Sequence, residues 1–434
     1  MQNRVFVLDK HSRPLMPTHP ARARQLLKQG RAVIHQRVPF TIRLKDRVDG
    51  EGQPVRLKID PGSKTTGIAI VREDGARAEV LHLAELYHKQ GIRKAMEQRR
   101  NYRRHRRSAN LRYRAPRFNN RARPKGWLPP SLQARVDNVS SWVKRYRRLV
   151  PLTAISVEIV RFDTQKLQNP EISGVEYQHG ELLSYEVREY LLEKWDRRCA
   201  YCGAEGVPLQ VEHIVPCSRG GSDRLSNLTL SCGPCNQRKN NQTAVEFGHP
   251  EVQVQARQPL KDTAAINTTR WAVYRALVAS DLPVEVGTGG WTKYNRTRLG
   301  LPKSHALDAL CVGASTPDRI AGLEKATVLI IQARGRGQYR RTNVDRYGFP
   351  RGYLARRKGV AGFQTGDLVQ AIVPGGKYAG THEGTVQVRQ SGYFDISRDG
   401  KRIVQGIHAR HFRLIQRFDG YSYKREGPVL PLHA

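Results

Sequence analysis

The chain reads as a multidomain α/β protein, on three observations. Its 434 residues are more than one hydrophobic core usually serves. Strand-like and helix-like stretches alternate along most of it, and a run of short strands closes it. Five of its six cysteines gather in one short module set between patterned segments.

Charge narrows the class of partner. Lys and Arg total 75 against 38 Asp and Glu, a formal charge of +37. Solvation alone needs no such excess, and nucleic acid is the commonest polyanion to match it. A membrane surface is the rival. The sequence has no apolar run of about 18 residues and no amphipathic anchor. VFVL near the N-terminus is too short for a signal-peptide core, so the expected setting is a bacterial-type cytoplasm, without a membrane.

Residues 1–52 predict a small αβ module. Val5 to Leu8 and Phe40 to Leu44 are its strands, His19 to Gln29 is a helix stopped by Gly30, and Arg13 to Pro17 is a rigid turn. In 53–90, VRLKID, TTGIAIV and ARAEVLHLA are three strands joined by PGSK and EDGA turns. Asp60 ends the first strand. Alone, it reads as an Asx-turn residue before a catalytic one.

Residues 91–127 hold many arginines and almost no acid. Pro116 is the first proline, so one helix from Ile92 to about Arg114 is expected. Its arginines point to all sides: Arg93, Arg99, Arg100, Arg103, Arg104, Arg106, Arg107, Arg112 and Arg114. A disordered basic tail is the plain alternative, but this stretch lies between structured segments. Arginine on every face, with Tyr102, Tyr113 and Phe118 to stack, suits RNA or a heteroduplex wrapped around the helix.

Segment 128–180 opens on an amphipathic helix, Ser131 to Val150, with Leu132, Val136, Val139, Val143 and Tyr146 at helical spacing. TAISVEIV then forms a strand carrying Glu158. An acid among such neighbours is costly unless paired, metal-bound or turned outward at an edge. Segment 181–255 opens on a second amphipathic helix that feeds the cysteines. Segment 256–333 predicts a helix at Asp262 to Ser280, a strand at Val284 to Gly287, a helix at Ser304 to Ala314 and a strand at Val328 to Gln332. His305 and Asp308 share a helix face there; an isolated pair of this kind is more often plain surface. Segment 334–434 begins with a basic linker. It continues as DLVQAIV, GTVQVR, GYFDIS, RIVQGI and FRLIQ, the spacing of a small antiparallel barrel.

The cysteine module carries the clearest chemistry. Cys199 and Cys202 form one CxxC, and Cys232 and Cys235 another, with 29 residues between them. Four thiolates from two knuckles make a closed structural zinc site; a redox dithiol is the alternative. Between the knuckles, LQVEHIVP is a strand ending near Glu212 and His213, and the return leads to Asn227 and then Asn236. A hairpin and a helix would grip one divalent ion. His213 would serve as general base, Glu212 and Asn236 as ligands, and Asn227 as the brace of the loop that orients His213.

EHIVP, GG, NL and C..CN..K together resemble the HNH endonuclease motif, with Asn236 at its last position and Glu212 before the base. KIDPGSKTTGIAI, ISVEIVRFD and HALDA resemble the three motifs of a split RuvC nuclease. The order of these parts, with VRFDTQKLQNPEISGVEYQHGEL and GLPKSHALDAL, resembles the IscB family of transposon-encoded RNA-guided nucleases. The resemblance implies a RuvC core of RNase H-like fold, split by a bridge helix and by an HNH ββα insert. It implies that Asp60, Glu158, His305 and Asp308 make one site with two Mg²⁺, and that the HNH site holds one. It implies a guide RNA (ωRNA), double-stranded target DNA and a monomeric ribonucleoprotein. HNH would cut the guide-paired strand and RuvC the displaced one, while the C-terminal β-rich domain reads a target-adjacent motif. A guide-independent nuclease and a non-catalytic RNA-binding protein are the alternatives.

Overall fold

A computed structural model describes residues 4–75, 77–109, 127–159, 188, 191–192, 194–223, 225–257, 261–324, 326–335, 342–353, 359–398 and 400–428. The chain divides into two compact units, one of 1–158 with 272–434 and one of 159–271.

The first unit opens with β1 (Val5–Leu8), β2 (Pro14–Thr18), α1 (Pro20–Lys28), β3 (Ala32–Gln36) and β4 (Thr41–Leu44). His19 caps α1 by accepting from the Ala21 N–H, and Pro20 starts the helix where no N–H is needed. The stretch expected as a rigid turn is instead the edge strand β2 of a sheet ordered β2-β1-β4-β3. An edge strand tolerates Pro14 and Pro17 because one side of its backbone has no ladder to join.

Next come β5 (Val55–Pro61), β6 (Thr65–Asp74), β7 (Arg77–Tyr87), α2 (Ile92–Ser108), α3 (Pro130–Leu149) and β8 (Ala154–Glu158). The second unit holds β9 (Leu209–His213), β10 (Leu228–Cys232), α4 (Gly233–Lys239) and α5 (Pro250–Arg257). The boundary back to the first unit falls within α6 (Lys261–Val278). Then follow β11 (Val284–Gly287), α7 (Gly289–Arg298), α8 (His305–Leu310), β12 (Arg319–Ala321) and β13 (Thr327–Ala333). Two short hairpins, β14 (Thr342–Val344) with β15 (Pro350–Tyr353) and β16 (Gly359–Val360) with β17 (Phe363–Gln364), lead to the last strands. These are β18 (Leu368–Val373), β19 (Gly380–Gln387), β20 (Tyr393–Arg398), β21 (Lys401–His408), β22 (Phe412–Gln416) and β23 (Tyr421–Pro428).

The large sheet runs β11-β8-β5-β6-β7-β13-β23. β5, β6 and β7 form an antiparallel meander, with β8 parallel to β5 and β11 parallel to β8. That order is RNase H-like. It sets the ends of β5 and β8 side by side, with Ile59 opposite Val157. Of the stripe expected on α3, Val136, Val139, Val143 and Tyr146 are buried and Leu132 is half-buried; Tyr146 and the neighbouring Trp142 are fully enclosed. Tyr146 hydrogen-bonds His82 of β7 across 3.0 Å, and Phe6 of the N-terminal module meets both rings. Burial holds His82 neutral, its pKa pushed down to about 3.

The five closing strands foreseen in the sequence form one antiparallel sheet, β21-β20-β19-β18-β22, over Phe363, Val369, Phe394, Ile396 and Phe412. β23 was not foreseen. It leaves this sheet and pairs antiparallel with β13 at the edge of the large one.

The second unit is an antiparallel ββ hairpin followed by α4, the ββα form expected of the insert. Leu191, Trp195, Ile214 and Leu230 pack there in one buried cluster with Cys199, Cys232 and Cys235.

Candidate active sites

In the first unit, two strand ends and one helix bring the separated acids together. Asp60 ends β5 and Glu158 ends β8 on adjacent parallel strands. α8 crosses the same face and supplies His305 and Asp308. Its N-cap is Ser304, whose hydroxyl accepts from the Leu307 N–H at 3.2 Å. His305 Nδ1 lies 3.8 Å from Asp60 Oδ2, and contact with that carboxylate raises the His305 pKa.

Glu158 is buried, and burial together with the Asp60 charge pushes its pKa up to about 8. Burial and Asp60 raise Asp308 as well. Carboxylates that raise one another's pKa at one spot suit a divalent cation, which stabilises the charged form of all of them.

Residues that the sequence reading passed over hold this arrangement. Thr292 of α7 donates its hydroxyl to Glu158 Oε2. Arg296, one turn on, sits with Nε 2.7 Å from Asp308 Oδ1. The Nε–H is not aligned for a hydrogen bond, so the attraction is coulombic. Glu85 of β7 accepts from the Ala306 N–H at 3.3 Å and so holds the start of α8. Asn295 donates to the carbonyls of Cys311 and Gly313, each at 3.0 Å. The fully buried Lys58 donates to Val312 O at 2.9 Å. With Gly313 at φ +85°, these clamps end α8 earlier than its sequence pattern suggests.

Gly67 explains why α8 can lie so close. It faces Asp60 across the β5–β6 ladder. A Cβ there would stand 1.8 Å from His305 O and 2.5 Å from His305 C, both backbone atoms. Gly67→Val is therefore expected to push α8 off the sheet and destabilise the first unit by about 1–3 kcal/mol. A thermal melt matching the wild type would contradict this packing.

In the second unit, His213 ends β9 and Asn227 stands just before β10. Asn227 ties the chain after β9 to the loop before β10. Its Oδ1 accepts from Val215 N–H at 2.9 Å, and its Nδ2 donates to Val215 O at 3.0 Å and Ser222 O at 2.9 Å. Gly221 leaves room for this, since a Cβ there would meet Val215 O at 1.8 Å. The braced loop carries Asp223, whose Oδ1 lies 2.6 Å from His213 Nε2. A carboxylate on Nε2 fixes the proton there and leaves Nδ1 as the accepting nitrogen, the tautomer a general base needs. Cys217 lies beside the pair, with one ligand atom from each of the three within 4.8 Å of the others.

Glu212 and Asn236 lie toward α4. Glu212 Oε1 is 2.7 Å from the Nζ of buried Lys239, which also donates to His213 O at 2.9 Å. Glu212 Oε2 is buried without a hydrogen-bond partner. Asn236 Nδ2 donates to Gln210 Oε1 at 2.8 Å. The orphaned oxygen suits a cation, while Lys239 competes for the same carboxylate. Lys239 was open to the sequence reading: it follows Asn236 by three residues and so shares its helix face.

The four knuckle cysteines each place a sulfur within 4.8 Å of the other three, and Cys202 Sγ to Cys232 Sγ is 3.7 Å. A tetrahedron with bonds of about 2.3 Å has edges close to that length, so the donor set fits zinc. Cys232 N–H and Arg238 donate to Cys199 Sγ and Cys235 Sγ, at 3.3 and 3.5 Å. Without a cation, burial pushes Cys235 up to about 12; a bound zinc reverses that.

α2 buries no residue. Arg93, Arg99, Arg100, Arg103, Arg104 and Arg107 are exposed and Arg106 is half-buried. None of the seven pairs with a carboxylate among the described residues. Arg112 and Arg114 lie outside the described residues, as does the whole stretch from VRFD to HGEL.

Residues 199–242 match the HNH endonuclease family, and residues 5–180 match the family described as RRXRR protein. No curated protein matches. Among solved structures, RuvC of T. thermophilus in complex with a Holliday junction substrate is 14% identical, covering 61% of this chain and 92% of that one, with a TM-score of 0.22. The Type II-C Cas9 of Actinomyces naeslundii is 13% identical over 60% of this chain and 59% of its own, with a TM-score of 0.21. Streptococcus thermophilus Cas9 in complex with the AGAA PAM is 15% identical over 59% and 32%, also at 0.21. This chain thus spans under two thirds of either Cas9. Segment 199–242, which matches the HNH endonuclease model, is joined here in one chain to an RNase H-like sheet with a carboxylate cluster.

Proposed function

We propose that this chain is an RNA-guided DNA endonuclease with two active sites. One observation carries the reading: a single chain holds an HNH module, an RNase H-like carboxylate site and, between the sequence segments of the latter, a helix whose arginines meet no carboxylate among the described residues. The two sites suit two strands of one duplex. The arginine helix suits a nucleic acid with phosphates on several sides.

At the carboxylate site, Asp60, Glu158 and Asp308 would hold two Mg²⁺, and Glu212 and Asn236 would hold one at the HNH site. Bound there, the ions supply charge for the attacking and leaving oxygens. The protein's own residues do the rest. Thr292 and Arg296 fix the carboxylates, and His305 stands beside Asp60 to ligate or pass a proton. Asp223 orients His213, whose Nδ1 accepts a proton from the attacking water. HNH would cut the guide-paired strand and the carboxylate site the displaced one.

A structured guide RNA (ωRNA) and a duplex target are the partners, in a monomeric complex within a bacterial cytoplasm. The C-terminal domain, 334–434, would read a short motif beside the target. The other assigned spans follow the same scheme: 1–52, 53–90, 91–127, 128–180, 181–255 and 256–333. Among the described residues, no helix is long and apolar enough to cross a membrane.

The test is a plasmid bearing the guide-matched sequence, incubated with the RNA-loaded protein and Mg²⁺. Cutting of both strands supports the reading; cutting only of branched DNA, without RNA, favours a guide-independent nuclease. Replacing Arg99, Arg100, Arg103 and Arg104 by alanine is expected to weaken RNA binding. It should flatten the slope of log affinity against log salt by about 3. An unaltered slope would put the RNA elsewhere.

A further inference from the structure

α7 does two things at once. Its inner face holds the carboxylate site, through Thr292 on Glu158 and Arg296 beside Asp308. Its outer face carries two large exposed aromatics, Trp291 at 47% and Tyr294 at 56%. They stand three residues apart and so share that face. Their rings stack, with centroids 5.5 Å apart and planes 18° from parallel. The Arg298 guanidinium lies 6.0 Å from the Tyr294 ring centre.

We propose that Trp291 and Tyr294 form a stacking platform for an unpaired base of the DNA strand cut at the Asp60–Glu158–Asp308 site. Three arguments favour that occupant. Trp291 directly precedes Thr292, which touches Glu158, so a base on the ring lies within a few residues' reach of the metal-holding acids. Exposed aromatic faces match a base; Arg298 beside Tyr294, itself paired with Asp318, adds positive charge nearby, and the chain is strongly basic. Bases within a duplex are already stacked on each other, so the platform selects single-stranded DNA. The platform rests on the nuclease reading for its substrate, and it adds a positioning role: a strand held by one base presents a fixed phosphate to the acids.

The experiment has two arms, both on the RNA-loaded full chain. In the first, Trp291→Ala with Tyr294→Ala is expected to slow cutting of the displaced strand by about tenfold to a hundredfold. Cutting of the guide-paired strand should be unchanged, and Trp291→Phe should recover most of the rate. An abasic position moved along the displaced strand should slow the wild type at one or two positions, by a similar factor, and the double variant no further there. Equal slowing of both strands, or no position dependence, overturns the platform.

The second arm needs no cutting. In Asp60→Ala protein, photo-crosslinking from 5-iododeoxyuridine in the displaced strand should map to Trp291 or Tyr294. A crosslink there in a system whose wild type never cuts retains the platform and overturns the nuclease reading. Cutting with neither crosslink nor variant effect does the reverse. A crosslink from guide RNA instead overturns the assignment to DNA.

Discussion

Asp60→Ala in the RNA-loaded protein is expected to leave a nick where the wild type makes a double-strand break. Cutting of the displaced strand should fall by about 10³-fold or more, because Asp60 is one of the carboxylates that would hold the proposed cations. Cutting of the guide-paired strand should persist. The fold should not suffer. Asp60 is one of the charges that raise Glu158 and Asp308, so removing it relieves repulsion. The melting temperature should be unchanged or higher, which separates lost chemistry from lost structure. His213→Ala should give the opposite nick, with guide-paired cutting down by about 10²–10⁴-fold. A strand-resolved gel of both variants checks the pair. Unchanged cutting of the displaced strand by Asp60→Ala would remove Asp60 from the site.

Loss of one zinc thiolate is expected to unfold the second unit. Cys235 is buried within the same cluster as Leu191, Trp195 and Leu230, so the thiols that would hold zinc and the apolar core are one structure. Structural zinc contributes on the order of 10 kcal/mol to modules of this size, more than most domains hold in reserve. Cys235→Ser should release the zinc and expose residues 199–257 to protease, while the large sheet stays protected. A protease-resistant second unit free of zinc would show that its apolar core suffices alone.

Much of this was legible in the sequence because the signals are local. The HNH hairpin, the knuckles and the brace Asn227 lie within one short stretch, where spacing alone brings them together. The meander β5–β7 carried its turns on its face. The carboxylate site was legible only through the three RuvC-like motifs, since Asp60, Glu158 and Asp308 are far apart in the chain and each alone had a plain structural reading. Their supports were not legible. Thr292, Arg296 and Glu85 act across the sheet and helix packing, and no periodicity marks them. Nothing in the sequence marks Gly67, because the His305 O against it comes from a helix far along the chain. β23 escaped notice because its pairing with β13 spans the whole C-terminal domain. Lys239 stands in the quoted motif, but its ion pair with Glu212 exists only in the fold, so from sequence Glu212 reads as a plain metal ligand.

The central claim is guidance by RNA. The most direct measurement is sequencing of the RNA that co-purifies with the protein expressed from its native locus. The account predicts one discrete structured RNA encoded beside the gene, with a variable segment that matches the DNA the complex cuts; exchanging that segment should redirect cutting. Cleavage by protein stripped of RNA, or no enriched RNA at all, would contradict it.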